Sequence, residues 1–249
     1  MIEQLYINEN GGSLSAVKYL PEGAPSACVI FVHAYSNWKD EHDYMFARLA
    51  LALSRRGIAA LTFDMRGHGE STLKLEEVTL ETMTQDISAA FEYARKNICG
   101  RVYAAAVGFS ARMSAQALGN APVGYALFSP IMEIPQSLRE LSRYDAAPVS
   151  EVLCRLPDRA LAERDMERMG MLPKFVTAEL VNGGVFSAAE YSGGSIDVPT
   201  LVFSSQEGEC SYGAFANAKE LIAEGGGIMF RSPQVIERLA EELCGFVEG

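Results

Sequence analysis

The feature that most constrains the fold of this chain is a regular alternation of short apolar runs with amphipathic stretches. Such alternation is typical of βαβ units around a mainly parallel sheet. The apolar runs predict strands at residues 28–32, 58–63, 102–107, 123–128 and 200–203. We therefore expect an α/β fold in which helices flank a mostly parallel sheet.

Two further strands and four helices complete the predicted body, the last helix over residues 234–246. Residues 5–7 and 14–19 predict an N-terminal hairpin with Gly11 and Gly12 near its turn. A helix over residues 44–56 should end at Gly57, because glycine readily adopts the left-handed conformation that terminates helices. A second helix carries its apolar face around Met83 and Ile87, and a third is expected to begin directly after Ser110.

Residues 133–196 break this rhythm, being rich in Arg, Glu, Leu and Met. We interpret them as a cap, with helical segments at 137–144 and 150–169, inserted into a single domain of residues 1–249. The apolar side chains of the cap either roof a pocket or simply hold the cap on the body. They are Leu153, Leu156, Met166, Met169, Met171, Leu172 and Phe175.

Composition excludes several classes of partner. The chain has 32 acidic and 21 basic residues and a net charge of −11, so nucleic acid and membrane surfaces are not expected partners. Its five cysteines are scattered, without a close pair for a metal or redox motif, and we expect no cofactor and no metal. The scattered cysteines, the polar N-terminus and the lack of a membrane-length apolar run predict a cytoplasmic protein.

The run Gly108-Phe109-Ser110-Ala111-Arg112 follows the predicted strand 102–107 and opens a helix. This is the placement of a nucleophile elbow, in which a serine occupies a sharp turn between strand and helix. The usual final glycine of the motif is replaced by Arg112. Two other runs accompany it in the expected order, Val29-Ile30-Phe31-Val32-His33-Ala34-Tyr35 and Phe63-Asp64-Met65-Arg66-Gly67-His68-Gly69-Glu70-Ser71.

Together these motifs resemble the α/β-hydrolase superfamily, especially its small esterases and thioesterases. The resemblance implies an α/β-hydrolase fold with an eight-stranded sheet, Ser110 as nucleophile, and the backbone N–H groups of Tyr35 and Ala111 as oxyanion donors. It also implies a small-molecule acyl ester or thioester substrate. Composition and motifs do not predict the oligomeric state.

The run Ser110-Ala111-Arg112 is also similar to the acyl-transferase and thioesterase branch that supplies fatty acids in bacterial luminescence. That similarity implies an acyl group delivered on a carrier, with Arg112 steering an anionic carrier or cofactor. The alternative is that Arg112 packs its aliphatic stem and reaches solvent or a carboxylate.

The resemblance leaves the catalytic triad incomplete. The superfamily's acid falls at Gly208, so Glu207 or Glu209 would serve after a shift of one residue, and Glu209 is preferred. The superfamily's histidine should precede the last helix, but no histidine follows His68. Either residues 227–228 replace a Gly-His pair, or residues 228–230 form the eighth strand and the histidine loop is deleted.

His33, His42 and His68 are the remaining candidates for the base, although His33 and His68 occupy positions that are usually structural in this fold. Without a base a serine is a weak nucleophile. The leading hypothesis is an esterase, thioesterase or acyltransferase with Ser110 as nucleophile and atypical or reduced activity. The alternatives are a non-hydrolytic lyase or cyclase that uses the oxyanion donors and a catalytically inactive binding protein.

Overall fold

The computed structural model describes residues 1–9, 12–139, 141, 149–176, 185–186, 191, 193–205, 210–223, 230 and 232–249. In this part of the chain one sheet contains β1 Ile2–Glu9, β2 Gly12–Tyr19, β3 Cys28–Val32, β4 Ala59–Phe63, β5 Val102–Val107, β6 Tyr125–Phe128, β7 Thr200–Ser204 and β8 Ala218–Ile222. The strand order is β1-β2-β4-β3-β5-β6-β7-β8.

The sheet is mixed. β1 pairs antiparallel with β2, and β2 pairs antiparallel with β4. The other pairings are parallel, from β4 through β3 and β5 to β8. Every residue of β3 to β7 is buried, as expected for strands covered on both faces by helices. The predicted α/β-hydrolase fold with an eight-stranded sheet is confirmed.

Helices cover the sheet on two sides. They are α1 Met45–Arg55, α2 Leu80–Asn97, α3 Phe109–Leu118, α4 Gln136–Arg139, α5 Val149–Leu153, α6 Arg159–Arg168 and α7 Pro233–Glu248, with 3-10 turns at His42–Tyr44, Leu75–Glu77 and Pro173–Phe175. Ile30 of β3 packs in one core with α2 and α3. Phe31 points the other way, into a core with α1 and α7, because side chains alternate along a strand.

The segment between β6 and β7, called here the cap segment, contains α4, α5 and α6. The predicted helix 150–169 is interrupted after Leu153, and α6 restarts at Arg159 with the Asp158 carboxylate accepting the Leu161 N–H. Pro157 lies in this break and lacks the N–H that a helix interior needs.

The apolar side chains of the cap segment mostly hold it on the body. Five belong to the same buried core as α2 and α3: Leu153, Leu156, Met166, Met169 and Met171. Leu172 is only partly buried, and the side chain of Phe175 lies outside the described residues.

One predicted boundary is wrong. The third helix begins at Phe109, before Ser110 rather than after it. The eighth strand of the sheet is Ala218–Ile222, a segment for which the sequence predicted no strand. Residues 224–229 and 231, which include most of both alternatives for the missing histidine, lie outside the described part. Among the described residues, no helix is long and apolar enough to span a membrane.

Candidate functional site

A single residue, Gly108, connects β5 to α3. Its backbone angles are φ 54° and ψ −125°, a conformation that strongly favours glycine over residues with a Cβ atom. The turn is held on both sides, because the Gly108 N–H donates to Phe128 O at 3.0 Å and Gly108 O accepts the Ile131 N–H at 3.1 Å. The apex of the strand-to-helix turn, where an elbow nucleophile stands, therefore carries no side chain.

Ser110 lies two residues beyond this apex, in the first turn of α3. Its side chain is fully buried, and its hydroxyl donates to the backbone oxygen of His33 at 2.7 Å. The backbone oxygen of Ser110 in turn accepts the Ser114 hydroxyl at 2.8 Å. The Ser110 hydroxyl proton is thus directed at an amide carbonyl, which is far too weak a base to activate the oxygen.

The cap segment covers the apex of the turn. The N–H of Phe109 donates to Met169 O at 3.1 Å, and the N–H of Ser36 donates to Gly170 O at 2.9 Å. A Cβ atom built on Gly108 would lie 2.8 Å from Met169 O. The carbonyl of Met169 therefore occupies the space that a side chain at the apex would need, and the carbonyl of Gly170 binds the loop after β3.

Of the two predicted oxyanion donors, the structure gives an acceptor for Ala111, and the Tyr35 N–H stays a prediction. The Ala111 N–H donates to Gly108 O at 3.3 Å inside the first turn of α3, and the residue directly after the apex is Phe109. In the loop after β3, the Ala34 N–H donates to a carboxylate oxygen of Glu41 at 2.7 Å. The ring of Tyr35 packs edge-on against His68, with centroids 5.1 Å apart.

Glu41 is a buried carboxylate that sequence reasoning missed. It also accepts a hydrogen bond from the Asn37 side-chain amide and one from the His42 N–H at 3.3 Å. Burial raises the pKa of Glu41 to about 7, although these donors favour the ionised form. The loop bends sharply here, since Glu41, Asp43 and Tyr44 all have positive φ.

None of the three histidines is seen to serve Ser110 as a base. The His33 ring is fully buried, with Nδ1 2.7 Å from Ala34 O and Nε2 accepting the Met65 N–H at 3.0 Å. Burial, together with the nearby His68, lowers the pKa of His33 to about 3. His42 lies beside Glu41, with Nε2 3.7 Å from a carboxylate oxygen.

Arg112 is buried rather than displayed for an anionic partner. One guanidinium nitrogen donates to Met132 O at 3.1 Å, and the guanidinium carbon lies 5.9 Å from the centroid of the Phe109 ring. Glu207 and Glu209, the two candidates for the triad acid, lie outside the described residues.

A cavity of about 430 Å³ opens beside the covered turn. Its wall is formed by residues 35–38, residues 67–69 and the side chains of His42, Leu75, Leu172 and Lys174. We call it the Trp38 cavity, after the tryptophan that stands half-exposed at its edge. Its size and largely apolar lining fall in the range typical of small-molecule sites.

A buried charged cluster fixes the two loops that form this cavity. The carboxylate of Asp64, fully buried after β4, accepts the Lys39 backbone N–H at 2.7 Å, the Lys39 ammonium at 2.8 Å and the Glu70 N–H at 3.0 Å. Arg66 and Asp86 form a second buried ion pair under the same turn. In the described part of the chain, no group of three or more His, Cys, Asp or Glu side chains is arranged to hold a metal.

The sequence matches a known family over most of its length. Residues 23–208 match the family model described as serine aminopeptidase S33. The chain therefore belongs to this family of α/β-hydrolases, which confirms the resemblance seen in its motifs. No curated protein sequence matches it significantly.

Solved structures share the fold at low identity. One is Est1E from Butyrivibrio proteoclasticus with bound ferulic acid, 18% identical, with TM-score 0.65, covering 98% of this chain and 100% of that one. The enol-lactonase from Burkholderia xenovorans LB400 is 17% identical with TM-score 0.66, covering 98% and 100%. The Pyrococcus furiosus esterase Pf2001 is 16% identical with TM-score 0.62, covering 100% and 90%.

Proposed function

We propose that this chain is a non-hydrolytic, small-molecule-binding member of its family, which does not use Ser110 to form an acyl-enzyme. The observation that carries the proposal is the apex of the turn after β5. The residue there is Gly108, and the carbonyl of Met169 covers it. The esterase, thioesterase or acyltransferase alternative needs a free nucleophile and a base near this place.

The chemistry of acyl transfer explains why this arrangement favours binding over hydrolysis. The Ser110 oxygen would have to reach a substrate carbonyl carbon while a base removes its proton. Instead it is fully buried and bonded to His33 O, and the Phe109 N–H that would stabilise an oxyanion already has Met169 O as its acceptor. Losing the histidine of a serine protease triad alone costs about a million-fold in turnover.

A small molecule is the proposed ligand, rather than a macromolecule. The fold is shared by Est1E, whose structure holds ferulic acid, and by an enol-lactonase. This chain has a cavity of about 430 Å³ beside the covered turn, which is within the range typical of small-molecule sites.

The test is covalent labelling with a fluorophosphonate, read by intact-protein mass spectrometry, alongside hydrolysis of short-chain p-nitrophenyl esters and acyl thioesters. We expect no adduct on the wild type and turnover no faster than that of Ser110→Ala. Ser114→Ala is the matched control, since Ser114 is also buried in α3 and also donates to a backbone oxygen. A stoichiometric adduct that disappears in Ser110→Ala and persists in Ser114→Ala would restore the esterase alternative.

A further inference from the structure

The wall of the Trp38 cavity contains a hydrogen-bonding atom without a partner. Nε2 of His68 is one of three buried side-chain polar atoms in the described residues that make no hydrogen bond. Such atoms are rare in folded proteins and each calls for an explanation, which a bound ligand provides. His68 itself is 7% exposed and lines the cavity.

The protonation of His68 determines what a ligand must offer. Nδ1 lies 3.1 Å from Arg66 O and donates to it, which places the ring proton on Nδ1 and leaves a lone pair on Nε2. Burial lowers the pKa of His68, so the ring stays neutral at neutral pH. Nε2 can therefore accept a hydrogen bond from a donor group of a ligand.

The rest of the wall favours a flat, apolar molecule. The half-exposed indole of Trp38 stands at the edge, and Leu75 and Leu172 add aliphatic surface. Gly67 and Gly69 flank His68 in the wall and add no side chain to it. A Cβ atom at Gly67 would collide with Val78, and one at Gly69 would collide with Asp64. An aromatic ring on such a surface gains burial and stacking.

We propose that the Trp38 cavity binds a small aromatic alcohol or phenol, whose ring lies along Trp38 and whose hydroxyl donates to Nε2 of His68. The inference rests on the binding function proposed above and names its site. None of the lining residues belongs to α3 or is Gly108, but Tyr35 and Ser36 come from the loop after β3, and the N–H of Ser36 also bonds to the cap segment that covers the turn. Nε2 has almost no exposed surface, so the hydroxyl of the ligand would reach it only when the Tyr35 ring, which packs edge-on against His68, moves aside.

Trp38 is the single tryptophan of the chain and therefore reports binding directly. The probes are 4-propylphenol and its methyl ether, 4-propylanisole, titrated with excitation at the red edge of indole absorption. We expect 4-propylphenol to change the Trp38 emission saturably and to bind about tenfold more tightly than the ether, the value of one hydrogen bond to an unpaired buried group. The ether is the more apolar probe, so non-specific partitioning would give the opposite order.

Three variants locate the site. His68→Phe keeps a ring but removes the acceptor, and should bind both probes equally. Leu75→Phe adds a ring to the cavity and should weaken both probes at least tenfold. Gln116→Leu, in a separate surface groove between α2 and α3, is the matched control and should change neither affinity.

The ratio of the affinities of the two probes is measured on the wild type, so the test remains valid if His68→Phe fails to fold. Absence of saturable binding, equal affinities in the wild type, or unchanged affinities in Leu75→Phe would each overturn the assignment. A fluorophosphonate adduct on Ser110 would instead overturn the non-hydrolytic function, whatever the probes do.

Discussion

The turn after β5 and the Trp38 cavity lie at the same edge of the sheet, and they differ in what their polar groups contact. At the turn, the Phe109 and Ser36 N–H groups are bonded to carbonyls of the cap segment. In the cavity, Nε2 of His68 has no partner among the described residues. The comparison teaches that, at one edge of the same sheet, the cap segment pairs the polar groups of the turn while a pocket beside it keeps an unpaired one.

The largest expected effect concerns the support of the cavity. Asp64→Ala removes the acceptor of two backbone N–H groups and the Lys39 ammonium. The two N–H groups then lack an acceptor and Lys39 keeps only Glu70, which should lower the free energy of unfolding by about 3–5 kcal/mol, measured by urea denaturation. Glu92→Ala is the control, because Glu92 forms exposed ion pairs with Arg95 and Lys96, and it should cost less than about 1 kcal/mol. Similar costs for the two variants would mean that the buried cluster does not support the cavity.

The next prediction tests the closure of the turn and has a matched pair of glycines. Gly108 and Gly119 have nearly the same backbone angles, φ 54°, ψ −125° and φ 51°, ψ −124°. A Cβ atom at Gly119 meets nothing within 4 Å, whereas one at Gly108 lies 2.8 Å from Met169 O. Gly119→Ala should cost about 1–2 kcal/mol of backbone strain, and Gly108→Ala at least about 1 kcal/mol more. Equal unfolding free energies would contradict the closure.

The third prediction concerns the effect of pH on His33. This residue contacts both regions, because its backbone oxygen accepts the Ser110 hydroxyl and its ring packs against His68. The pKa of His33 is lowered in the fold, so the stability it confers is complete above its unfolded value near 6.5 and is lost as the pH falls below that. The loss is about 1.4 kcal/mol per pH unit while His33 stays neutral in the fold.

Glu41 acts in the opposite direction. Its pKa is raised to about 7, so the stability that its protonated form confers is lost as the pH rises from the usual carboxyl range through 7. The two contributions are separated by following the His33 ring by NMR, where we expect no titration between about pH 5 and 8. A titration midpoint of the His33 ring near pH 6.5 would show that the ring is not held by its hydrogen bonds to Ala34 O and the Met65 N–H.

The strands and helices of this chain could be predicted because their signals are local and repeated. Buried strands appear in the sequence as apolar runs. The helix predicted to end at Gly57 does end close to it, since the last residue of α1 is Arg55. The missing histidine was also visible in the sequence. The start of α3 was not, since the run Gly108-Phe109-Ser110 fits a helix that begins before or after the serine, and only the backbone angles of Gly108 decide.

The closure of the turn could not be predicted from side-chain types. It is made by the carbonyls of Met169 and Gly170, and any residue can supply a carbonyl. The one signal was a pair of small residues, because a Cβ atom at Gly170 would collide with Ala34, which itself replaces the usual glycine of the loop. Glu41, Asp64 and the Trp38 cavity were missed because their roles depend on contacts between distant loops.

The smallest expected effect is that of Ser110 itself. Ser110→Ala removes one buried hydrogen bond to His33 O and should cost about 1 kcal/mol in urea denaturation, with no change in probe binding at Trp38. Ser114→Ala, which loses a similar bond, should cost about the same. A Ser110→Ala variant that is more stable than the wild type would instead mark Ser110 as a strained functional residue.

The account's central claim is that backbone carbonyls of the cap segment cover the turn after β5. Amide hydrogen exchange of Phe109 and Ser36, resolved by NMR in the protein without ligand, tests it most directly. We predict that both amides exchange at least about a thousandfold more slowly than unstructured amides, because Met169 O and Gly170 O accept them. Exchange of these two amides near the unprotected rate, in a protein whose strand amides remain protected, would show that the cap segment does not cover the turn and would contradict the claim.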